Sequence, residues 1–204
     1  MFRSAIVVLA TAFALSRNVG RASARPNAED GRRPVLHSAD GLKLVLHSAS
    51  AGDILIPVAG VTAAQLVPSF NQARAGHVHH ALDILAPRGT PVVAAVDGTV
   101  RKLFVSGAGG ITLYEFDEGQ AFVYYYAHLD GYADGVREGM RVRQGDVIGY
   151  VGTTGNAPES TPHLHFAIGR LTAEKKWWDS EAIDPYPILT TPASAPPKLA
   201  SAPD

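Results

Sequence analysis

The chain has 204 residues, 46% hydrophobic and 18% charged, with a formal charge of −1. That composition fits one globular domain with a substantial core and is too short for two ordinary ones, and its mild acidity excludes a basic nucleic-acid-binding surface. The absence of cysteine excludes disulfides, lipidation at an N-terminal cysteine and thiolate metal sites, so any transition metal must be held mainly by His, Asp and Glu.

In chain order, Arg3 precedes the apolar run Ala5–Leu15, and Ala22-Ser23-Ala24 follows as a small-x-small stretch. The run has signal-peptide length and is too short to span a bilayer comfortably. Residues 1–24 therefore read as an export signal, in contact with the membrane only in transit. The competing reading is an uncleaved anchor. Without Arg3, Arg17 and Arg21 the formal charge goes from −1 to −4, with 15 basic against 19 acidic residues. The expected location is the periplasm or cell envelope, or the medium. Residues 25–53 read as a polar linker containing VLHSA twice, at 35–39 and 45–49, around Asp40-Gly41. Two apolar runs about such a turn predict a small hairpin. His37 and His47 occupy equivalent places in it, with no matching ligand set beside them.

Residues 54–190 predict strands throughout. Short runs rich in Val, Ile, Tyr and Phe alternate with Gly-containing turns, as in TPVVAAVDGTVRKLFVS, GAGGITLYEF and RVRQGDVIGYVG. The expected fold is an all-β, antiparallel sandwich or barrel-like single domain. Asp97-Gly98 and Glu118-Gly119 are expected tight turns, and Gly107–Gly110 the most flexible one. Trp177 and Trp178 are expected to seal a core edge, and Asp184-Pro185-Tyr186-Pro187 to form a rigid closing turn. Residues 191–204 are Pro/Ala/Ser-rich and expected to be a disordered tail, which limits the folded domain to 54–190.

Three stretches concentrate histidine. In His163-Leu164-His165 the two imidazoles share one face of a strand, roughly 6.6 Å apart, with Leu164 and Phe166 on the other. Taken alone, such a pair is more often a surface feature than a site. In HVHHALD, His79 and Asp83 are four apart: neighbours on a helix, but about 13 Å apart on a straight strand. A bend near Ala81 would also join them, and spacing alone does not choose. His128 ends the aromatic run that holds Tyr124, Tyr125 and Tyr126; those tyrosines read as core and surface packing. Asn71 and Arg74 precede the first stretch closely enough to reach it, or to serve only the loop.

Together these stretches resemble the lysostaphin/LytM-like family of zinc endopeptidases, which cut peptide bonds in peptidoglycan. The resemblance covers about Leu55 to Leu189. The family's H-x-G-x-D falls on His79–Asp83, its GTPV and DG-V on Gly89–Val100, its Y-x-H-L on 126–129, its glycine-rich VxxGxxIGxxGxTG run on Val142–Gly155, and its H-L-H-F on 163–166. Ala81 departs from the pattern, in place of Gly, and a left-handed backbone there would strain it. The resemblance implies a zinc cleft ringed by long loops, with His79, Asp83 and His165 as ligands of one zinc per chain and His128 and His163 as the catalytic pair. His77 and His80 are then bystanders. Two His and one Asp leave a fourth position for water, as catalytic zinc requires. Zinc lowers the pKa of that water. With no H-E-x-x-H glutamate, His128 and His163 must handle its proton and the developing oxyanion.

The implied function is hydrolysis of peptidoglycan cross-links by an exported, monomeric zinc metalloendopeptidase through a zinc-bound water. One alternative is a catalytically silent relative that binds and activates a cell-wall amidase; it predicts an incomplete ligand set and a partner arm, and this chain has no coiled-coil heptads. A histidine phosphocarrier on a related sandwich is disfavoured by the export signal and by Asp83.

Overall fold

The computed structural model describes residues 54–74 and 76–191. The stretches expected to form the export signal, the linker with a hairpin, and the tail from 192 onward lie outside the described residues. Strands β1 (Ala73–Arg74) and β2 (His77–Val78) form a small hairpin of their own. The other nine are β3 (Leu82–Leu85), β4 (Pro91–Val93), β5 (Gly98–Ser106), β6 (Gly110–Asp117), β7 (Phe122–Tyr132), β8 (Arg141–Val142), β9 (Val147–Val151), β10 (His163–Leu171) and β11 (Ser180–Ile183). They make one antiparallel sheet whose main path is β11-β10-β7-β6-β5-β8; β3 joins β10, and β9 links β7 to β4. The expected antiparallel all-β class is the one that forms. The path ends at β11 and β8, so the described strands do not close into a barrel.

Side-chain alternation sorts the sheet into two faces. Leu164, Phe166 and Ile168 of β10 pack with Leu82 and Ile84 of β3 in the main core, which also takes Tyr124 and Tyr126. The intervening residues, including Asp83, His163 and His165, therefore lie on the opposite face. Asp83 stands directly across from His165 in the β3–β10 register, and Ala127 stands across from His165 on β7. Tyr125 shares that face, its ring edge-on to His165 at 5.9 Å.

Several local expectations change. Trp177 packs on Phe104 and Tyr114 in a second apolar cluster, but Trp178 is 48% exposed and seals nothing. Asp184 begins a helix, α1 (Pro185–Thr190), and caps it by accepting from the Tyr186 N–H; proline at the first helical position suits that start. Gly107–Gly110 is pinned: the His128 N–H donates to Gly109 O and the Asn156 N–H to Ala108 O. A Cβ on Gly110, at φ 66°, would meet the Thr154–Gly155 backbone within 2.4–2.5 Å. Gly109 and Gly110 permit close approach where a side chain would clash, while Gly107 has open space around it.

Candidate active site

The chain leaves β2 and turns before β3. The turn residue is His80, with φ 53°, and not Ala81. Its N–H donates to Phe70 O and its ring lies 5.3 Å from that of Phe70. Ala81 is completely buried, so the small side chain fits the core and the strain expected there falls on His80 instead. His80 is not among the clustered donor residues but shapes the bend. The outcome is a turn followed by a strand, which brings His79 Nε2 to 3.1 Å from Asp83 Oδ1.

His165 completes a triangle. Its Nδ1 lies 3.0 Å from His79 Nε2 and 3.1 Å from Asp83 Oδ1. These are the three atoms, one per residue, that could hold a metal ion. The hydrogen bonding argues for a cation. His79 Nδ1 faces Ser69 O at 3.0 Å. A carbonyl only accepts, so that nitrogen carries the proton and Nε2 presents a lone pair. The lone pair faces a carboxylate oxygen and a second imidazole nitrogen. One proton on His165 Nδ1 cannot serve both of its neighbours, whereas one cation serves all three. Tetrahedral zinc, with bonds of about 2.0–2.2 Å, wants ligand atoms about 3.3 Å apart, so this donor set fits with little movement.

His128 and His163 flank the triangle. Their rings are 5.0 Å apart, and His128 is 5.6 Å from His165. His163 Nε2 stands 3.7 Å from Asp83 Oδ1, too far for a hydrogen bond. His128 Nδ1 donates to Thr154 O and His163 Nδ1 to Thr161 O, each at 2.8 Å. Both rings are thereby fixed in one tautomer, with an unprotonated Nε2 when neutral. His128 sits at φ 59°, a left-handed conformation at a register shift of β7. Such strain persists only where its surroundings hold it.

Sequence reasoning assigned nothing to Ser69, Thr154 and Thr161, which orient the imidazoles through backbone carbonyls. Arg74 does reach the site: its Nη2 donates to Asp83 Oδ2 at 2.7 Å, leaving Oδ1 to the histidines. His77 stays on β2, across from Arg74. Asn71 is exposed in the preceding loop.

Burial sets the charge states. Desolvation alone would raise the Asp83 carboxyl, but the His165 and His79 imidazoles packed against it hold it far below the usual carboxylate range. Desolvation pushes the His128 imidazole down to about 4, against a weaker opposing pull from the Thr154 carbonyl. Desolvation also lowers His165, although Asp83 opposes it. The site therefore holds a carboxylate with neutral imidazoles at positions 128 and 165 at neutral pH, the states that metal binding and proton acceptance need.

The profile of Peptidase family M23 matches residues 77–185, more than half of the chain. The chain is 34% identical over 117 residues to the L-Ala--D-Glu endopeptidase of Bacillus subtilis, an alignment covering 55% of this chain and 34% of that protein. It is 28% identical over 166 residues to the cell division protein DipM of Caulobacter vibrioides, covering 80% of this chain and 25% of that protein. It thus spans about a third and a quarter of these curated relatives. The catalytic domain of the antimicrobial peptidase lysostaphin from Staphylococcus simulans superimposes with a TM-score of 0.50 at 30% identity, over 59% of this chain and 85% of that one.

Proposed function

The chain belongs to peptidase family M23, and from that premise we propose that it is an exported zinc endopeptidase that hydrolyses peptide cross-links of peptidoglycan. The observation that carries this reading is the triangle of His79, Asp83 and His165 donor atoms with two further imidazoles beside it. The names of relatives such as the L-Ala--D-Glu endopeptidase support a stem-peptide substrate.

In this reading His79 Nε2, Asp83 Oδ1 and His165 Nδ1 would hold one zinc. When bound, zinc supplies a Lewis acid that polarises the scissile carbonyl and makes water acidic near neutral pH. The protein's own work is proton handling. Nε2 of His128 or of His163 takes the proton of the attacking water as its oxygen adds to the carbonyl carbon. That proton then passes to the amide nitrogen as the C–N bond breaks, yielding a carboxylate and an amine. The other imidazole hydrogen-bonds the reacting oxygens. The folded unit is residues 54–190, preceded by an export signal at 1–24. Among the described residues no helix is long and apolar enough to cross a membrane.

Purified peptidoglycan incubated with the zinc-loaded protein tests the reading. New amino and carboxyl ends, located by mass spectrometry, identify the bond. An unchanged substrate whose digestion by an added wall amidase speeds up would instead support the catalytically silent, activating alternative.

A further inference from the structure

We infer that Glu115 and Tyr126, buried behind the site, are positioning residues: their hydrogen bond fixes the β-bulge that turns His128 toward the metal-binding triangle. This rests on His128 serving the reaction proposed above.

Glu115 and Tyr126 are both fully buried. The Tyr126 hydroxyl donates to Glu115 Oε2 at 2.5 Å and accepts from the Ala95 N–H at 2.9 Å. One group thereby ties β6, β7 and the β4–β5 connection together. Among the described residues Glu115 Oε1 has no partner, a costly arrangement in a core that a plain apolar residue would fill. Burial raises the Glu115 carboxyl to about 8, against the opposing pull of the Tyr126 hydroxyl and with smaller additions from Asp97 and Asp117.

The register shows what the pair does. Leu113 stands across from Tyr126, and Ile111 across from Leu129. One residue of β6, Thr112, therefore opposes two of β7, Ala127 and His128: a β-bulge. A slip of one residue would exchange the faces of β7 and send His128 away from the site. Tyr126 is the last paired residue before the bulge, and its hydroxyl meets its partners only in this register. On the far side, Thr154 Oγ1 donates to Leu129 O, and Thr154 O accepts a hydrogen bond from His128 Nδ1–H. The bulge is clamped at both ends, and at the Tyr126 end the side-chain clamp is the pair of hydrogen bonds that the hydroxyl makes inside the core.

The test compares Tyr126→Phe, Glu115→Leu and Glu115→Gln in the full-length protein loaded with zinc. Readouts are kcat and KM on peptidoglycan fragments, zinc content, and the nitrogen-edited NMR signal of His128 Nδ1–H. Tyr126→Phe and Glu115→Leu are expected to lower kcat by about 10–100-fold, the effect of misplacing a reacting group by about an ångström. KM and zinc content stay at wild-type values, and the His128 signal shifts or broadens. Glu115→Gln keeps an acceptor oxygen for the tyrosine and restores both kcat and the signal. Wild-type kcat with an unchanged signal in Tyr126→Phe would overturn the inference. So would a loss of activity that only follows lost zinc or lost fold. If the wild-type protein cleaves nothing, the proposed reaction has failed, and the His128 signal alone decides whether the pair positions the ring.

Discussion

His163→Ala and His165→Ala are expected to fail in different ways, although the two side chains leave the same face of β10. His165 Nδ1 is one of three converging donor atoms, at 3.0 and 3.1 Å from the others. Its loss should weaken zinc binding by more than the 10–100-fold typical of an outer-shell partner. His163 approaches Asp83 no closer than 3.7 Å, so the triangle does not depend on it. His163→Ala loses the hydrogen bond to Thr161 O and a side chain only 10% exposed, a stability loss of roughly 2–4 kcal/mol that a domain of ordinary stability survives. Zinc should stay near one per chain while kcat falls about 10²–10⁴-fold, or about 3–5 kcal/mol of barrier. Metal analysis after desalting, run beside a peptidoglycan digestion, reads both effects. Zinc lost from His163→Ala but kept by His165→Ala would reverse the two roles, and no effect in either variant would remove this strand from the active site.

Acidity should act through His128. Its folded pKa of about 4 lies below the unperturbed value of 6.5, so between these values the unfolded chain binds a proton that the folded one refuses. Stability of the metal-free protein should thus fall as pH drops from about 6.5 to 4, by roughly 3 kcal/mol; thermal unfolding that is flat across this window would contradict it. The same shift keeps His128 Nε2 neutral, so with His128 as the base the acid limb of activity in zinc-saturated protein should lie below 6.5, as a pH–rate profile would show. Arg74→Ala should weaken zinc binding by about 10–100-fold through loss of the hydrogen bond that orients Asp83, measured by chelator competition; unchanged affinity would make Arg74 a loop residue only. Gly110→Ala should cost more than about 1 kcal/mol, through its positive φ and the clash with the Thr154 loop, and should lower kcat because Thr154 holds His128.

The sequence pointed to the side chains that cluster more readily than to the groups that hold them in place. Side-chain alternation placed His163 and His165 on one face, and the apolar partners Leu164 and Phe166 went to the core as that alternation requires. The link between His79 and Asp83 was open because the bend is made by His80, and histidine tolerates positive φ without demanding it as a glycine would signal. Ser69, Thr154 and Thr161 orient imidazoles by carbonyls that any residue supplies, so no side-chain pattern announces them. Close packing between loops and freedom to move call for the same residue, so glycine at 110 did not announce its contact with the Thr154 loop. Glu115 was invisible for another reason: in LYEF apolar residues occupy both faces of the strand, so alternation offers it no solvent side.

The central claim is that one metal ion, held by His79, Asp83 and His165, is required for peptide-bond hydrolysis. Its most direct test is a titration of the chelator-stripped protein with zinc, following peptidoglycan digestion and bound metal together. Activity absent at the start, rising in step with bound zinc and levelling at one ion per chain, is the predicted result. Full activity in the stripped protein, with zinc shown to be absent, would contradict it.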